Sequence, residues 1–202
     1  MEIINCEQGT EEWLLARRGI ATASNFSKVV TTKGEPSKQA GDYAFQLASE
    51  LITDLQDDTY KSADMQRGND LEPDARDAYQ QETLTLVQEV GFVKCDFFGY
   101  SPDGFVGDNG LVEFKCPNQK THTKYLAGRK LPSEYKAQVL GGMLATGREW
   151  CDFVSYHPNF ELNKRLFIVR VLRDEEFITA LRKELTKLNE KKIGILNNIG
   201  NK

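Results

Sequence analysis

Asp103 stands in a Ser101-Pro102-Asp103-Gly104 turn, and ten residues later Glu113 and Lys115 flank Phe114 in the apolar run Leu111-Val112-Glu113-Phe114-Lys115-Cys116. An extended chain alternates its side chains, so Leu111, Glu113 and Lys115 share one face of a strand while Val112, Phe114 and Cys116 share the other. The second trio is apolar and is expected to face the core. Glu113 and Lys115 then project together from a rigid element, beside an acid delivered by the preceding turn. Two carboxylates and an ammonium in that relation suit metal-assisted phosphodiester hydrolysis. Magnesium takes carboxylate oxygens and keeps several waters, so Asp103 and Glu113 can anchor it and leave positions for a phosphate and a nucleophile. Lys115 supplies a fixed positive charge that can orient the attacking water, help deprotonate it, or stabilise charge on the transition state.

The whole chain bounds this chemistry. Its 202 residues, 40% hydrophobic and 28% charged, read as one globular domain spanning 1–202. No apolar run approaches the roughly 18 residues of a membrane span, and Met1-Glu2-Ile3-Ile4-Asn5 is not a signal peptide, so a cytoplasmic location without a membrane partner is expected. Cys6, Cys95, Cys116 and Cys151 are scattered singly, which favours reduced thiols over disulfides, zinc or an iron–sulfur cluster. The net charge of −4 works against general attraction to a polyanion, so any nucleic-acid contact must be local.

The elements that must position the acidic set follow from local signals. Thr10 is a candidate N-cap, Glu11 and Glu12 fill a first helical turn, Arg17 and Arg18 the last, and Gly19 follows as the C′ residue. Thr22 or Ser24 then caps a second helix, whose outward amides with Arg17 could bind an anion; plain capping accounts for the same residues. Thr31 to Ser37 reads as a flexible polar loop. A helix from about Lys38 to Leu55 presents Tyr43, Phe45, Leu47, Ala48, Leu51 and Ile52 as an apolar face and ends at Asp57-Asp58-Thr59.

Leu71, Ala75, Ala78 and Tyr79 share a helical face, and Pro73 should kink that helix or mark its start. Gly68, one turn before Glu72, would admit another backbone. Glu72 itself reads as a solvated helix acid on spacing alone. Leu86 to Val90 and Phe92 to Phe98 read as strands, and Asp108-Asn109-Gly110 as the hairpin turn before the acidic strand. Thr121 to Lys130 is a short basic helix, either a solvated face or a place for backbone phosphates with Lys120, Lys124, Arg129 and Lys130. Ser133 to Ala145 is a helix ended by Gly147, with Tyr135 and Gln138 on one face. Trp150 to Tyr156 and Arg165 to Leu172 form a strand pair, and Asp174 opens a long charged helix whose tail from Asn197 to Lys202 frays. His122 and His157 are expected at the surface or in hydrogen bonds rather than as a metal pair.

The spacing Asp103-x9-Glu113-x-Lys115 looks like the PD-(D/E)xK nuclease signature. The ordered set Glu7-Gln8-Gly9, Trp13, Arg17, Thr22-Ala23-Ser24, Gly68, Glu72, Ser101-Pro102-Asp103-Gly104, Glu113-Phe114-Lys115-Cys116-Pro117, Tyr135 and Gln138 resembles the phage lambda exonuclease family over most of the chain. That resemblance implies an α/β fold, a single PD-(D/E)xK nuclease domain with a central mixed sheet flanked by helices and the site at one sheet edge. It further implies a magnesium-dependent exonuclease that digests one strand of linear double-stranded DNA from 5′ to 3′. The 3′ overhang left behind would serve recombination by strand annealing.

Carried over residue by residue, Glu72, Asp103, Glu113 and the Phe114 carbonyl would hold two Mg²⁺ ions, for which Mn²⁺ can substitute. Lys115 would position the water, Gln138 would order Lys115, and Tyr135 would support both. Arg17, Ser24 and Thr22 would hold a terminal 5′-phosphate. Arg67 receives no role. The resemblance also implies a homotrimer ring around DNA ends, a single-strand annealing protein as partner, and the cytoplasm of a bacterial host. Two other readings share the acidic core: a site-specific endonuclease, which needs a base-reading element, and a noncatalytic DNA-end binding subunit, against which the intact Asp103, Glu113 and Lys115 argue.

Overall fold

The computed structural model describes residues 1–53 and 63–200. In chain order the elements are β1 Glu2–Ile4, α1 Glu11–Arg17, β2 Ala21–Thr22, a 3-10 stretch Ala23–Lys28, α2 Ala40–Thr53, α3 Ala63–Thr83, β3 Val87–Gln88, β4 Phe92–Lys94, β5 Phe98–Tyr100, β6 Gly104–Val106 and β7 Gly110–Lys115. They continue as α4 Gln119–Gly128, a 3-10 turn Ser133–Tyr135, α5 Lys136–Thr146, β8 Trp150–Tyr156, α6 Leu162–Arg165, β9 Leu166–Leu172 and α7 Glu175–Gly200.

The expected mixed α/β architecture is present, with its strands divided between two mixed sheets. The larger runs β3-β6-β7-β8-β9 and the smaller β1-β4-β5-β2. In the larger sheet β7 and β8 are parallel, with Glu113 opposite Phe153, and the other pairings are antiparallel. β7 is therefore the middle strand, and Glu113 and Lys115 sit at its C-terminal end rather than on an edge strand. Both faces of β7 are covered. Leu111 belongs to one core cluster with Val139 and Leu140 of α5 and Leu181 and Leu185 of α7, while Val112, Phe114 and Cys116 belong to another with Ala75 and Tyr79 of α3. The strand is thus buried on both sides, and Glu113 is only 1% exposed.

Several local signals hold. The Thr10 hydroxyl accepts from the Trp13 N–H, and Gly19 takes the left-handed conformation at φ +67°. Gly147 closes α5 in the same way at φ +73°. Asp174 accepts from the Phe177 N–H and opens α7. All four cysteines are free thiols.

Others are corrected. Thr22 precedes a six-residue 3-10 stretch and makes no side-chain cap; its hydroxyl instead meets Ser24 Oγ and Asn25 Nδ2. The segment after Val30 folds back through a Val30–Pro36 bridge, and Thr31 Oγ1 accepts from the Lys33 and Glu35 amides, so it is a pinned turn. α2 buries Tyr43, Ala44, Leu47 and Ala48, but Phe45, Leu51 and Ile52 are exposed. α3 runs through Pro73 without a break. A Cβ on Gly68 would meet open space, so no backbone packs there. The Phe92 to Phe98 strand is a tight hairpin, β4 and β5, closed by Cys95 N–H donating to the Phe98 carbonyl at 2.8 Å. The helix end expected at Asp57-Asp58-Thr59, and the last two residues of the tail, lie outside the described residues; Asn197 to Gly200 belong to α7.

Candidate active site

Glu113 is a buried carboxylate with three side-chain partners. Lys115 Nζ and Gln138 Nε2 both donate to its Oε1, and the Tyr100 hydroxyl donates to Oε2 at 2.9 Å. Three elements supply these partners: Lys115 comes from β7 itself, Gln138 from the first turn of α5, and Tyr100 from the end of β5. A carboxylate this deep must be paired and fully hydrogen-bonded to remain charged. Lys115 shows how the balance falls. Burial works against its charge, but Glu113 and Asp103 beside it outweigh that and raise its pKa, so Lys115 is an ammonium.

Asp103 is placed by the turn between β5 and β6, where its Oδ2 accepts from the Phe114 N–H at 2.6 Å. Gln8 anchors the same turn by donating to the Pro102 carbonyl at 2.9 Å and the Val90 carbonyl at 3.0 Å. The Trp13 indole donates to Ser101 Oγ at 2.9 Å. Burial lifts the Asp103 carboxyl well above its ordinary range, and repulsion from Glu113 adds to this against the opposing pull of Lys115. Glu72 projects from α3. Burial raises its pKa, the Arg76 guanidinium one turn on at 3.3 Å opposes that, and Glu113 raises it further.

One cavity of about 450 Å³ collects the whole set. Glu72, Asp103, Glu113, Phe114, Lys115, Tyr135 and Gln138 line it together with Arg17, Thr22 and Ser24. The residues given a site role by the resemblance therefore line a single cleft, with the hydroxyls at the start of the 3-10 stretch, whereas Lys120, Lys124, Arg129 and Lys130 lie outside it. Arg17 stacks on the Trp13 ring at 3.8 Å, which holds its guanidinium by cation–π attraction. Tyr135 lies 5.4 Å from the Lys115 ammonium in the same sense.

The donor set suits a hard divalent cation in kind: three carboxylates and a backbone carbonyl, two of the carboxyls, Glu72 and Asp103, resisting ionisation because they are buried and lie near Glu113. Among the described residues no three acidic, thiol or imidazole groups stand close enough to form a ready ligand cage.

Three contributors were given no role from the sequence. Tyr100 completes Glu113, Gln8 fixes the Asp103 turn, and Arg76 holds Glu72. Gln8 and Trp13 carry a sequence signal, the Glu7-Gln8-Gly9…Trp13 block. Tyr100 carries none, since its partner Glu113 lies on a strand of the other sheet, whereas Arg76 stands four residues after Glu72, the spacing of a helical ion pair. Arg67, left without a role, donates to the Cys116 carbonyl at 3.0 Å and so ties α3 to the residue after Lys115.

Mixed sheets with a buried acid–lysine strand feeding one cleft define a PD-(D/E)xK-type nuclease fold, and the comparisons agree. Residues 12–149 match the YqaJ-like viral recombinase domain, and the chain belongs to that family. It is similar to an alkaline exonuclease, LHK-Exo, from Laribacter hongkongensis: 37% identity, a TM-score of 0.87, and coverage of 95% of this chain and 96% of that one. The same exonuclease in complex with dAMP gives 36% identity and a TM-score of 0.85, covering 94% and 96% of the two chains. A phage-related exonuclease from Haemophilus somnus shares the fold at 13% identity and a TM-score of 0.76, over 89% of this chain and 96% of its own. No curated protein matches the sequence.

Proposed function

We propose that this protein is a magnesium-dependent exonuclease that digests one strand of linear double-stranded DNA from 5′ to 3′ and leaves 3′ overhangs for annealing. The observation that carries the reading is the single cleft in which Glu72, Asp103, Glu113 and Lys115 meet Arg17, Thr22 and Ser24. An acidic end suited to hydrolysis and a guanidinium–hydroxyl end suited to a terminal phosphate lie in one cavity, the arrangement an end-specific enzyme requires. LHK-Exo's description as an alkaline exonuclease, and its complex with dAMP, support the same chemistry.

The division of labour follows from the contacts. Glu72, Asp103, Glu113 and the Phe114 carbonyl would hold two Mg²⁺ ions, or Mn²⁺ in their place. Bound metal supplies Lewis-acid polarisation of the phosphate and a more acidic water. Lys115, kept protonated by Glu113 and Asp103, acts as a charge that orients the water and faces developing negative charge rather than as a free base. Gln138 and Tyr100 fix the Glu113 carboxylate, and so fix Lys115 through it. Arg17, with Thr22 and Ser24, receives the 5′-phosphate. A homotrimer ring, a single-strand annealing partner and a cytoplasmic site of action complete the reading. Among the described residues no helix is long and apolar enough to cross a membrane.

The test uses linear duplexes labelled at the 5′ or the 3′ end, with and without Mg²⁺. Early release of the 5′ label only with metal is expected, and a closed circular duplex should survive. Cutting of the circle would replace this reading with an endonuclease, and no release from any substrate would leave a noncatalytic end-binding protein.

A further inference from the structure

The corner that carries the Arg17 end of the cleft is held from behind by three buried side chains, Tyr43, Glu50 and Lys192, that do not line the cleft. Arg17 ends α1, and the chain reverses at Gly19 before it enters β2 at Ala21–Thr22. The Gly19 N–H donates to Glu50 Oε2 at 3.0 Å, and the Gly19 carbonyl accepts from Lys192 Nζ at 2.8 Å. Three residues on, the Thr22 N–H donates to the Tyr43 hydroxyl at 3.3 Å. Tyr43 and Glu50 stand two turns apart on one face of α2, and Lys192 comes from α7, which packs along α2. Gln46, between them, donates to Glu50 Oε1 at 3.3 Å and steadies the carboxylate. A Cβ at Gly19 would lie 2.4 Å from Leu51 Cγ, so the corner is seated directly on α2.

Packing alone does not call for these charges. Glu50 is 7% and Lys192 9% exposed, and apolar side chains would join α2 to α7 at least as well as a buried carboxylate and ammonium. Apolar side chains could not, however, grip a backbone N–H and a backbone carbonyl at once. Burial works against the Lys192 charge, and Glu50 supports it. The grip lies close to Arg17. Burial pushes the Tyr43 hydroxyl up to about 12, and the Arg17 charge is among the influences that pull it back. Arg17 itself lines the cleft, stacked on Trp13, two residues before the held glycine. Thr22 and Ser24 line the same cleft just after it.

We propose that Glu50 and Lys192, assisted by Tyr43, are positioning residues for a terminal 5′-phosphate: they hold the Gly19 corner so that Arg17 before it and the Thr22 and Ser24 hydroxyls after it stand at the spacing one phosphate requires. They act through the backbone. This role rests on reading Arg17, Thr22 and Ser24 as the 5′-phosphate pocket, and it does not depend on cleavage. Binding is therefore measured without metal, by fluorescence anisotropy, for two linear duplexes that differ only in a 5′-phosphate or a 5′-hydroxyl. The readout is the ratio of the two affinities, with thermal melts to show which variants fold.

Lys192→Met and Glu50→Leu should each lower that ratio about tenfold, the lower end of what one hydrogen bond to a charged group is worth. Glu50→Gln keeps an acceptor for the Gly19 N–H and should keep most of the ratio. In an Arg17→Ala background, Lys192→Met should lower it no further. A merely structural loss would weaken both duplexes alike. An unchanged ratio in folded Lys192→Met, or an equal further loss in the Arg17→Ala background, overturns the proposal. If Lys192→Met and Glu50→Leu do not fold, Tyr43→Phe decides by the same ratio: a fall upholds the positioning role, and no change overturns it. Equal binding of both ends by the unmodified protein, or none, is a different failure, which removes the pocket itself and the proposal with it. A preference for the phosphate that ignores Lys192 removes only the proposal.

Discussion

Glu113 cannot be exchanged without consequence for its three partners. With both oxygens engaged and almost no exposure, it is a buried charge whose pairing with Lys115 makes it tolerable. Glu113→Ala would leave the Lys115 charge uncompensated, so the shape-conserving Glu113→Gln is the better probe. Glu113→Gln, Asp103→Asn and Lys115→Met should each lower the cleavage rate at least about 10²-fold, the usual effect of removing one preorganised charge or donor. Initial rates on labelled duplex check this, with thermal melts to show that the fold persists. Near-normal turnover in Lys115→Met would remove the lysine from the mechanism. At the other end of the cleft, Arg17 is held by Trp13 and lines the cavity together with Thr22 and Ser24. Arg17→Ala should cost about 1.5 to 3 kcal/mol of preference for 5′-phosphorylated over 5′-hydroxyl ends, the worth of a charge-assisted contact. Unmodified protein that digests both ends equally fast would show that no such pocket operates.

Among the elements, α4, β8 and α6 meet at His122. Its Nδ1 lies 2.8 Å from Ser155 Oγ on β8 and its Nε2 lies 2.8 Å from the Lys164 carbonyl on α6. The carbonyl can only accept, so Nε2 carries the proton and Nδ1 accepts from Ser155. Burial depresses the His122 pKa below its ordinary 6.5, only partly opposed by the Lys164 carbonyl. The unfolded chain therefore takes up the proton first as pH falls. The stability His122 contributes is complete above about 6.5 and is lost progressively below it. Asp103 and Glu72, with raised pKa values, act in the opposite sense, so the histidine must be isolated by difference. Melting temperatures from pH 7.5 to 5.5 should fall more steeply for the unmodified protein than for His122→Gln; parallel curves would exclude the histidine as the source.

The same elements show what local sequence could and could not say. Caps at Thr10, Gly147 and Asp174 were legible because they depend on neighbours in the chain. The acidic strand was legible because strand alternation puts Glu113 and Lys115 on one face, ten residues after the acid of the Ser-Pro-Asp-Gly turn. The Phe92 to Phe98 run misled because its turn residues are apolar apart from Asp96. Pro73 does not mark the start of α3, because it lies exposed, where water can satisfy the carbonyl it leaves without a donor. Phe45 and Ile52 fit an apolar period, yet face outward on a helix whose burial is set by α7. Tyr100 on Glu113 was illegible, since it spans two sheets.

At the scale of the whole molecule the difficulty is retention. An exonuclease must stay on a shrinking end, yet a chain with a net charge of −4 holds DNA poorly by general attraction. A closed ring solves this topologically, since DNA threaded through a channel cannot diffuse away between cuts. The surface is compatible with association: Leu15 on α1 and Phe45 and Ile52 on α2 are each about half exposed, and the chain beside Gly19 brings α1 against Leu51 of α2. The basic run on and after α4, with Lys120, Lys124, Arg129 and Lys130, offers the positive lining such a channel needs. Light scattering should give the mass of three chains, independent of protein concentration over the working range. In a competitor-trap assay, one encounter should then remove many nucleotides before release. Salt should slow loading far more than it shortens these runs, because enclosure, unlike attraction, is not screened. A monomeric mass together with release after each nucleotide would exclude the ring and leave the acidic cleft untouched.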